Sequence, residues 1–205
     1  NLGGHPESSR LTWLANERQI PIGVAASGPK VIEIAARKAD RVDLQVGASA
    51  ARIDWALKIA RKVRREERLD ELKASAYINM IVNEDSEKAW RMAAGAITSQ
   101  SRFSAMHGEV IGPTSKATAD TLTKIHSAYD MKQHGQHDPG LITSEFAHEF
   151  GIYGSPAYCI DRLSELAELG IDRFIMAGGP DLAHPDSEVV KLAERFVKDV
   201  LPHFK

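Results

Sequence analysis

An α/β architecture built on a parallel sheet follows from three features of this sequence. Short apolar segments alternate with stretches of helical periodicity along most of the chain. The strand-like segments are near-continuous apolar runs, as in strands covered on both faces. Gly or Gly-Pro punctuation falls where the first strand hands over to a helix. The chain has 205 residues, 43% hydrophobic and 26% charged, with a formal net charge of −2. That length and composition suit a globular domain with a sizeable core. The balanced charge gives no reason to expect nucleic acid or an acidic membrane surface as a partner. No apolar run reaches the length of a membrane span, and no charged segment with an apolar follower marks a secretory signal. A cytoplasmic location is therefore expected. The lone Cys159 excludes an intrachain disulfide framework and any multi-cysteine metal site. The first residue is Asn and "NLGGHPESS" reads as loop, so the chain is expected to begin partway through a larger unit.

The elements follow in order. "PIGVAAS" is short, apolar and bounded by Pro and Gly, as expected of a buried strand. Pro29 suits the first position of a helix, where its missing N–H costs nothing, and Val31, Ile32, Ile34, Ala35, Ala36 and Ala39 supply an apolar face. "RVDLQVG" is the second strand. "ASAARIDWALKIARKVRREERL" is the second helix, with Ile53, Ala56, Leu57, Ala60 and Val63 at core spacing. The basic run Arg61 to Arg65 is read as its solvated face, because acidic residues follow directly. "LKASAYINMIVNE" is the third strand, and Asp85 or Ser86 caps the helix "SEKAWRMAAGAITSQSRF". From residue 104 to residue 153 the rhythm breaks into a helix, "KATADTLTKIHSAYDMKQH", a polar loop and a short amphipathic piece, "ITSEFAHEFGI", which together read as an insertion. Order returns with "GSPAYCIDRLSELAELG", where Ser155 caps, Pro156 opens and Gly170 closes a helix. "DRFIMAGG" is the fourth strand. "SEVVKLAERFVKDVLPHF" is the last helix, with Val189, Ala193, Phe196 and Val200 on one face. Four strands with alternating helices fit either an open doubly wound sheet or a section of a (β/α)8 barrel.

Two turns carry the candidate chemistry. In Ala26-Ser27-Gly28-Pro29-Lys30 a strand end meets a helix N-terminus, where free amides and the helix dipole favour an anion. Gly28 permits close approach, Ser27 adds a hydroxyl and Lys30 adds charge. The same residues also make an ordinary helix start, and on the residues alone both readings stand. The turn Val46-Gly47-Ala48-Ser49 should lie beside the first, because neighbouring strands are about 4.8 Å apart. Gly178-Gly179 ends the fourth strand and reads equally as part of that face or as loop closure. In the insertion, Arg102, Phe103 and His107 are candidates for substrate contact, with His126, Tyr129 and His134 behind them; packing explains the aromatic residues as well. His134, His137 and Asp138 have zinc-ligand chemistry but read as a surface loop, so no metal is expected. No nucleophile elbow, Walker loop or G-x-G-x-x-G is present.

"PIGVAASGPKVIEIAARKADRVDLQVGAS", with its strand ending in Ala25-Ala26-Ser27-Gly28-Pro29 and its helix carrying Ala35-Ala36-Arg37-Lys38-Ala39-Asp40, resembles the luciferase-like monooxygenase superfamily. The branch it is most similar to is the coenzyme F420-dependent oxidoreductases related to methylenetetrahydromethanopterin reductase. The tail matches too: Gly154-Ser155-Pro156, the Leu-rich helix up to Gly170, a strand, and a last helix ending in Val200-Leu201-Pro202. These segments cover about the first and the last quarter of the chain. The resemblance implies the C-terminal half of a TIM barrel, strands five to eight, as one partial domain over residues 1–205 with a helical insertion at residues 104–153. A whole barrel takes about 250 residues, so the N-terminal half is expected in the same gene or in a separate chain. The resemblance further implies an oxidoreductase that transfers hydride or oxygen to a small organic substrate, with F420 as first cofactor and FMN as second. The cofactor phosphate would sit at Ala26, Ser27, Gly28 and Lys30, with Val46, Gly47 and Ala48 beside it; at Ala48 the match is weaker, since family members carry further small or basic residues there. The main catalytic groups would come from the absent half, and a homo-oligomer, such as a dimer, is expected. Two other readings compete: a non-enzymatic flavin-binding or structural half-barrel that pairs with another chain, and an unrelated open α/β sheet that binds a phosphorylated metabolite.

Overall fold

A computed structural model of the chain describes residues 20–133, 140–177 and 188–204. The expectations for Gly178-Gly179, for His134, His137 and Asp138, and for the Val189 side chain lie outside the described residues. The elements run β1 (Gly23–Ala26), α1 (Pro29–Lys38), β2 (Arg41–Leu44), α2 (Ala50–Glu66), β3 (Lys73–Val82) and α3 (Ser86–Ser101). They continue with α4 (Lys116–Ala128), α5 (Ser144–Phe150), β4 (Gly151–Gly154), α6 (Pro156–Glu168), β5 (Arg173–Ala177) and α7 (Glu188–Arg195). Every strand pair is parallel, as the alternation of strands and helices requires.

β3 is the axis of the sheet. Ser75 pairs with Asp43 of β2 and with Arg173 of β5, so those strands flank β3 on opposite edges. Asn79 pairs with Gly151 of β4 and with Ala177 of β5. β2 and β4 therefore share one edge of β3, end to end, and β1 lies outside β2. The described residues thus hold five strands, where the sequence reading counts four. The missed strand, Gly-Ile-Tyr-Gly, is four residues long with glycine at both ends. It has neither the length nor the β-branched run that marks a strand locally, and the exposed upper edge of β3 recruits it.

Helix starts are local and legible. Asp85 accepts a hydrogen bond from the Lys88 amide at 2.9 Å, and Ser155 accepts one from the Tyr158 amide at 3.3 Å. Gly170 ends the α6 segment at φ +109, a conformation that needs glycine. The last helix departs from the continuous helix expected. α7 stops at Arg195, a π-helical turn covers Phe196–Val200 and a 3-10 turn covers Leu201–Phe204. Pro202 has no N–H to give and its ring excludes the ordinary α-helical path, so the backbone widens before it.

Two cores result. The main one lies between the sheet and α1, α2 and α6, with Ile32, Leu44, Ile53, Ile78 and Leu163 almost fully buried; each such side chain contributes about 2 kcal/mol. The second is built by α3, α4 and α5, with Trp90, Ile97, Leu122, Phe146 and Tyr153 packed together. On α1 the expected apolar face is narrower than read. Ile32, Ala35, Ala36 and Ala39 are buried, but Val31 and Ile34 are 42% and 54% exposed, because they lie outside the part of the stripe that meets the core. No helix among the described residues is long and apolar enough to cross a membrane.

Candidate functional site

In parallel α/β sheets, chemistry gathers where strands end and helices begin. The register Ala26–Leu44 places the C-terminal ends of β1 and β2 side by side, and the Ala26 carbonyl accepts the Gln45 amide at 2.9 Å, locking the two ends together. A hollow of about 910 Å3 lies at the other end of these strands, around Ile22, Asp40 and Lys73.

The first turn is an uncapped helix start. Gly28 is the N-cap of α1 in extended conformation, φ −117 and ψ 157, with no side-chain cap. Pro29 has no N–H, so Lys30 and Val31 present the first-turn amides, and no acidic side chain stands among them. Ser27 is half-buried and Lys30 exposed, beside a buried Ala26. The turn is not bare on every side: a Cβ built on Gly28 would stand 3.4 Å from the Ile111 side chain. These residues fit an anion such as a phosphate, through dipole, amides and one lysine charge.

The second turn is differently employed. Gly47 has φ +97, and Val46 and Ala48 are buried. The amides of Ala48 and Ser49 both donate to the Glu149 carbonyl, at 2.9 and 3.1 Å. Both amides are therefore already bonded within the protein. The C-terminal end of α5 fills the N-terminal end of α2, carbonyl to amide, and joins the 104–153 stretch to the sheet.

Arg52 does the rest of that joining, and the sequence reading passed over it. Its side chain is 0% exposed. Nε donates to the Val46 carbonyl at 2.6 Å, Nη1 to the Pro113 carbonyl at 3.2 Å, and Nη2 to Ser104 Oγ at 2.7 Å and the Ile111 carbonyl at 3.1 Å. The Glu149 carboxylate stands 3.9 Å away and the Phe150 ring lies under the guanidinium. Glu149 is itself held by the hydroxyls of Thr114 and Thr118, at 2.6 and 2.9 Å. The signal for Arg52 in the sequence is weak: a single arginine after two alanines, one position before the buried stripe of α2.

The substrate candidates lie at and just after the end of α3. The Arg102 guanidinium is stacked between the rings of Phe103 and Tyr129, 4.5 and 4.6 Å from their centroids. These contacts tie α4 to the 3-10 turn Arg102–Ala105. His107 is exposed. A second titratable group, also unforeseen, is His148. Its Nε2 lies 3.1 Å from Ser86 Oγ and its Nδ1 3.2 Å from the Tyr158 hydroxyl. Burial, and then the nearby Arg162, hold its pKa below the usual imidazole value. His148 and Arg162 border a hollow of about 560 Å3 at the start of α2. No group of three or more His, Cys, Asp or Glu among the described residues could hold a metal ion.

Comparison with known proteins gives these turns a context. Residues 3–173 match the family described as luciferase-like monooxygenase. Over 91% of its length the chain is 27% identical to 5,10-methylenetetrahydromethanopterin reductase of Archaeoglobus fulgidus, covering 55% of that protein. The solved coenzyme F420-dependent tetrahydromethanopterin reductase of Methanopyrus kandleri superposes with a TM-score of 0.65 at 21% identity, over 91% of this chain and 51% of that one. An F420-dependent secondary alcohol dehydrogenase in complex with an F420-acetone adduct superposes at 0.59 and 15% identity, over 92% of this chain and 50% of that one. The chain thus spans about half the length of the curated relatives it matches.

Proposed function

The chain belongs to the luciferase-like monooxygenase family, and from that premise we propose that it supplies strands five to eight of a (β/α)8-barrel oxidoreductase that holds coenzyme F420 by its phosphate at the start of α1. β1, β2, β3 and β5 are the barrel strands in this reading, β4 is an addition on the edge of β3, and residues 104–153 are an insertion in one partial domain. FMN is the second choice of cofactor. The observation that carries the reading is the uncapped, acid-free N-terminus of α1 at a strand's C-terminal end, in a chain similar to a reductase whose structure is named as F420-dependent.

When bound, a deazaflavin or flavin supplies the hydride chemistry. This chain's own part is to hold and orient. The Lys30 and Val31 amides, the Ser27 hydroxyl and the Lys30 charge meet the phosphate; Ala26 and Gly28 leave it room. Val46, Gly47 and Ala48 brace the turn from beside. Arg102, Phe103 and His107 belong to the substrate side of the insertion, and the substrate is a small organic molecule that takes hydride or oxygen. The partner half-barrel would close on two margins. At one, β1 has no outer strand among the described residues and Ile20, Ile22, Val31 and Ile34 are exposed; at the other, Val197 and Phe204 are. The assembled enzyme is read as a cytoplasmic homo-oligomer.

Titrating the full-length protein with F420, and separately with FMN, by fluorescence tests this. Saturable F420 binding is expected, and Gly28→Val should weaken it at least about tenfold, ~1.4 kcal/mol. If neither cofactor binds, the reading is wrong. Binding of a cofactor with no turnover of any hydride donor or acceptor would point instead to the non-enzymatic half-barrel.

A further inference from the structure

We infer that Arg52 is a positioning residue: its buried guanidinium pins the loop of residues 104–114 onto the two strand-end turns and so sets the affinity of the cofactor site. The cofactor half of this inference rests on the function proposed above; the pin does not.

Arg52 stands in the first turn of α2, where the helix dipole disfavours a cation, and its burial pulls its pKa down. A leucine or methionine would fill that space without either cost. What arginine adds is a planar fork of five N–H donors. One side of the fork takes the Val46 carbonyl of the second turn; the other takes Ser104, Ile111 and Pro113 of the loop. The loop is shaped to receive it. Gly112 has φ +82, and a Cβ there would stand 3.3 Å from both Nη atoms and 3.3 Å from the Trp55 ring, so glycine lets the backbone lie flat on the guanidinium. Ser104 and Ile111 are also tied to each other, the Ile111 amide donating to the Ser104 carbonyl at 2.8 Å.

The loop then reaches the first turn. Ile111, whose carbonyl Arg52 holds, puts its side chain 3.4 Å from the Cβ position of Gly28. Glu149 closes the arrangement, its carboxylate opposing the Arg52 charge and its carbonyl taking the Ala48 and Ser49 amides. Without the guanidinium, three carbonyls and one hydroxyl lose a donor, and Ile111 loses its fixed place beside Gly28. Arg52 touches neither cofactor nor substrate in this account; it acts through the loop.

The test uses the full-length protein with Arg52→Met, Arg52→Lys and Ser104→Ala, read by amide hydrogen exchange over residues 104–114 and by F420 titration. Arg52→Met is expected to speed exchange of the loop and to weaken F420 binding, each at least tenfold. Arg52→Lys, which keeps the charge and part of the donor set, should restore a share of both together. Ser104→Ala should move both in the same direction by a smaller factor, and it carries the test if Arg52→Met does not fold. Unchanged loop exchange in these variants overturns the pin. A loosened loop with unchanged F420 affinity overturns the positioning role. A wild-type protein that binds neither F420 nor FMN refutes the proposed function and the affinity claim with it, while the exchange data still decide the pin.

Discussion

Replacing Gly47 by alanine tests how the second turn is held. Gly47 sits at φ +97, where a side chain costs about 1 kcal/mol in backbone strain. The added Cβ would lie 2.8 Å from the Glu149 carbonyl oxygen and 3.0 Å from a Phe150 ring carbon. Neither neighbour is a flexible side-chain end: one is backbone and the other belongs to a buried ring. The turn must therefore separate from α5, and the Ala48 and Ser49 hydrogen bonds to that carbonyl, at 2.9 and 3.1 Å, lengthen together. At about 1 kcal/mol each, with the strain, the loss comes to about 3 kcal/mol. For a chain of this size that corresponds to a melting temperature lower by about 6–12 °C. Gly28→Ala is the matched control. Its φ is −117, an ordinary value, and its nearest obstacle is a side-chain methyl at 3.4 Å, so its effect should stay within about 0.5 kcal/mol. Urea unfolding followed by circular dichroism measures both. A Gly47→Ala midpoint equal to that of Gly28→Ala would refute the junction between α2 and α5 as described.

Other consequences are as direct. Asp85→Ala removes the acceptor of the Lys88 amide at the start of α3 and should cost about 1 kcal/mol, with Asp85→Asn recovering most of it, in the same urea assay. Cys159 is fully buried, and burial pushes its thiol up to about 12; dithionitrobenzoate should leave it unmodified at pH 8 in the folded protein and react fully once denaturant is added. For His148 the folded pKa is depressed, so the unfolded chain takes the proton first. Its neutral form costs the fold nothing above the unfolded value of about 6.5, and stability falls as pH drops below that. His148→Gln should flatten the dependence of the unfolding midpoint on pH between about 7 and 5, with Asp and Glu titration left to act below that range; an unchanged slope there would remove His148 as its source.

Local chemistry made much of the architecture readable. Gly28-Pro29, Asp85 and Ser155-Pro156 each mark a helix start by their own backbone or side-chain preference, and each does so in the structure. The buried stripe Ile53, Ala56, Leu57, Ala60 and Val63 follows directly from helical spacing. What escaped depends on contacts distant in sequence. β4 is a strand only because β3 runs on past β2 and leaves an edge for it. Val31 and Ile34 sit at apolar positions of a helical pattern, yet the pattern does not say which flank of a wide stripe finds a neighbour. Arg52 gains its meaning from Ser104, Ile111 and Pro113, some 50 to 60 residues away, and no spacing rule connects them. The same holds for the Ala48 and Ser49 amides, whose acceptor is the Glu149 carbonyl near the end of α5.

The most direct measurement of the central claim is residue-resolved amide exchange of the full-length protein with and without F420. The account predicts that the cofactor slows exchange of the Lys30 and Val31 amides at the start of α1, while Ala48 and Ser49, already bonded to Glu149, change little. Protection that appears elsewhere in the protein and leaves Lys30 and Val31 at their free rates would contradict it.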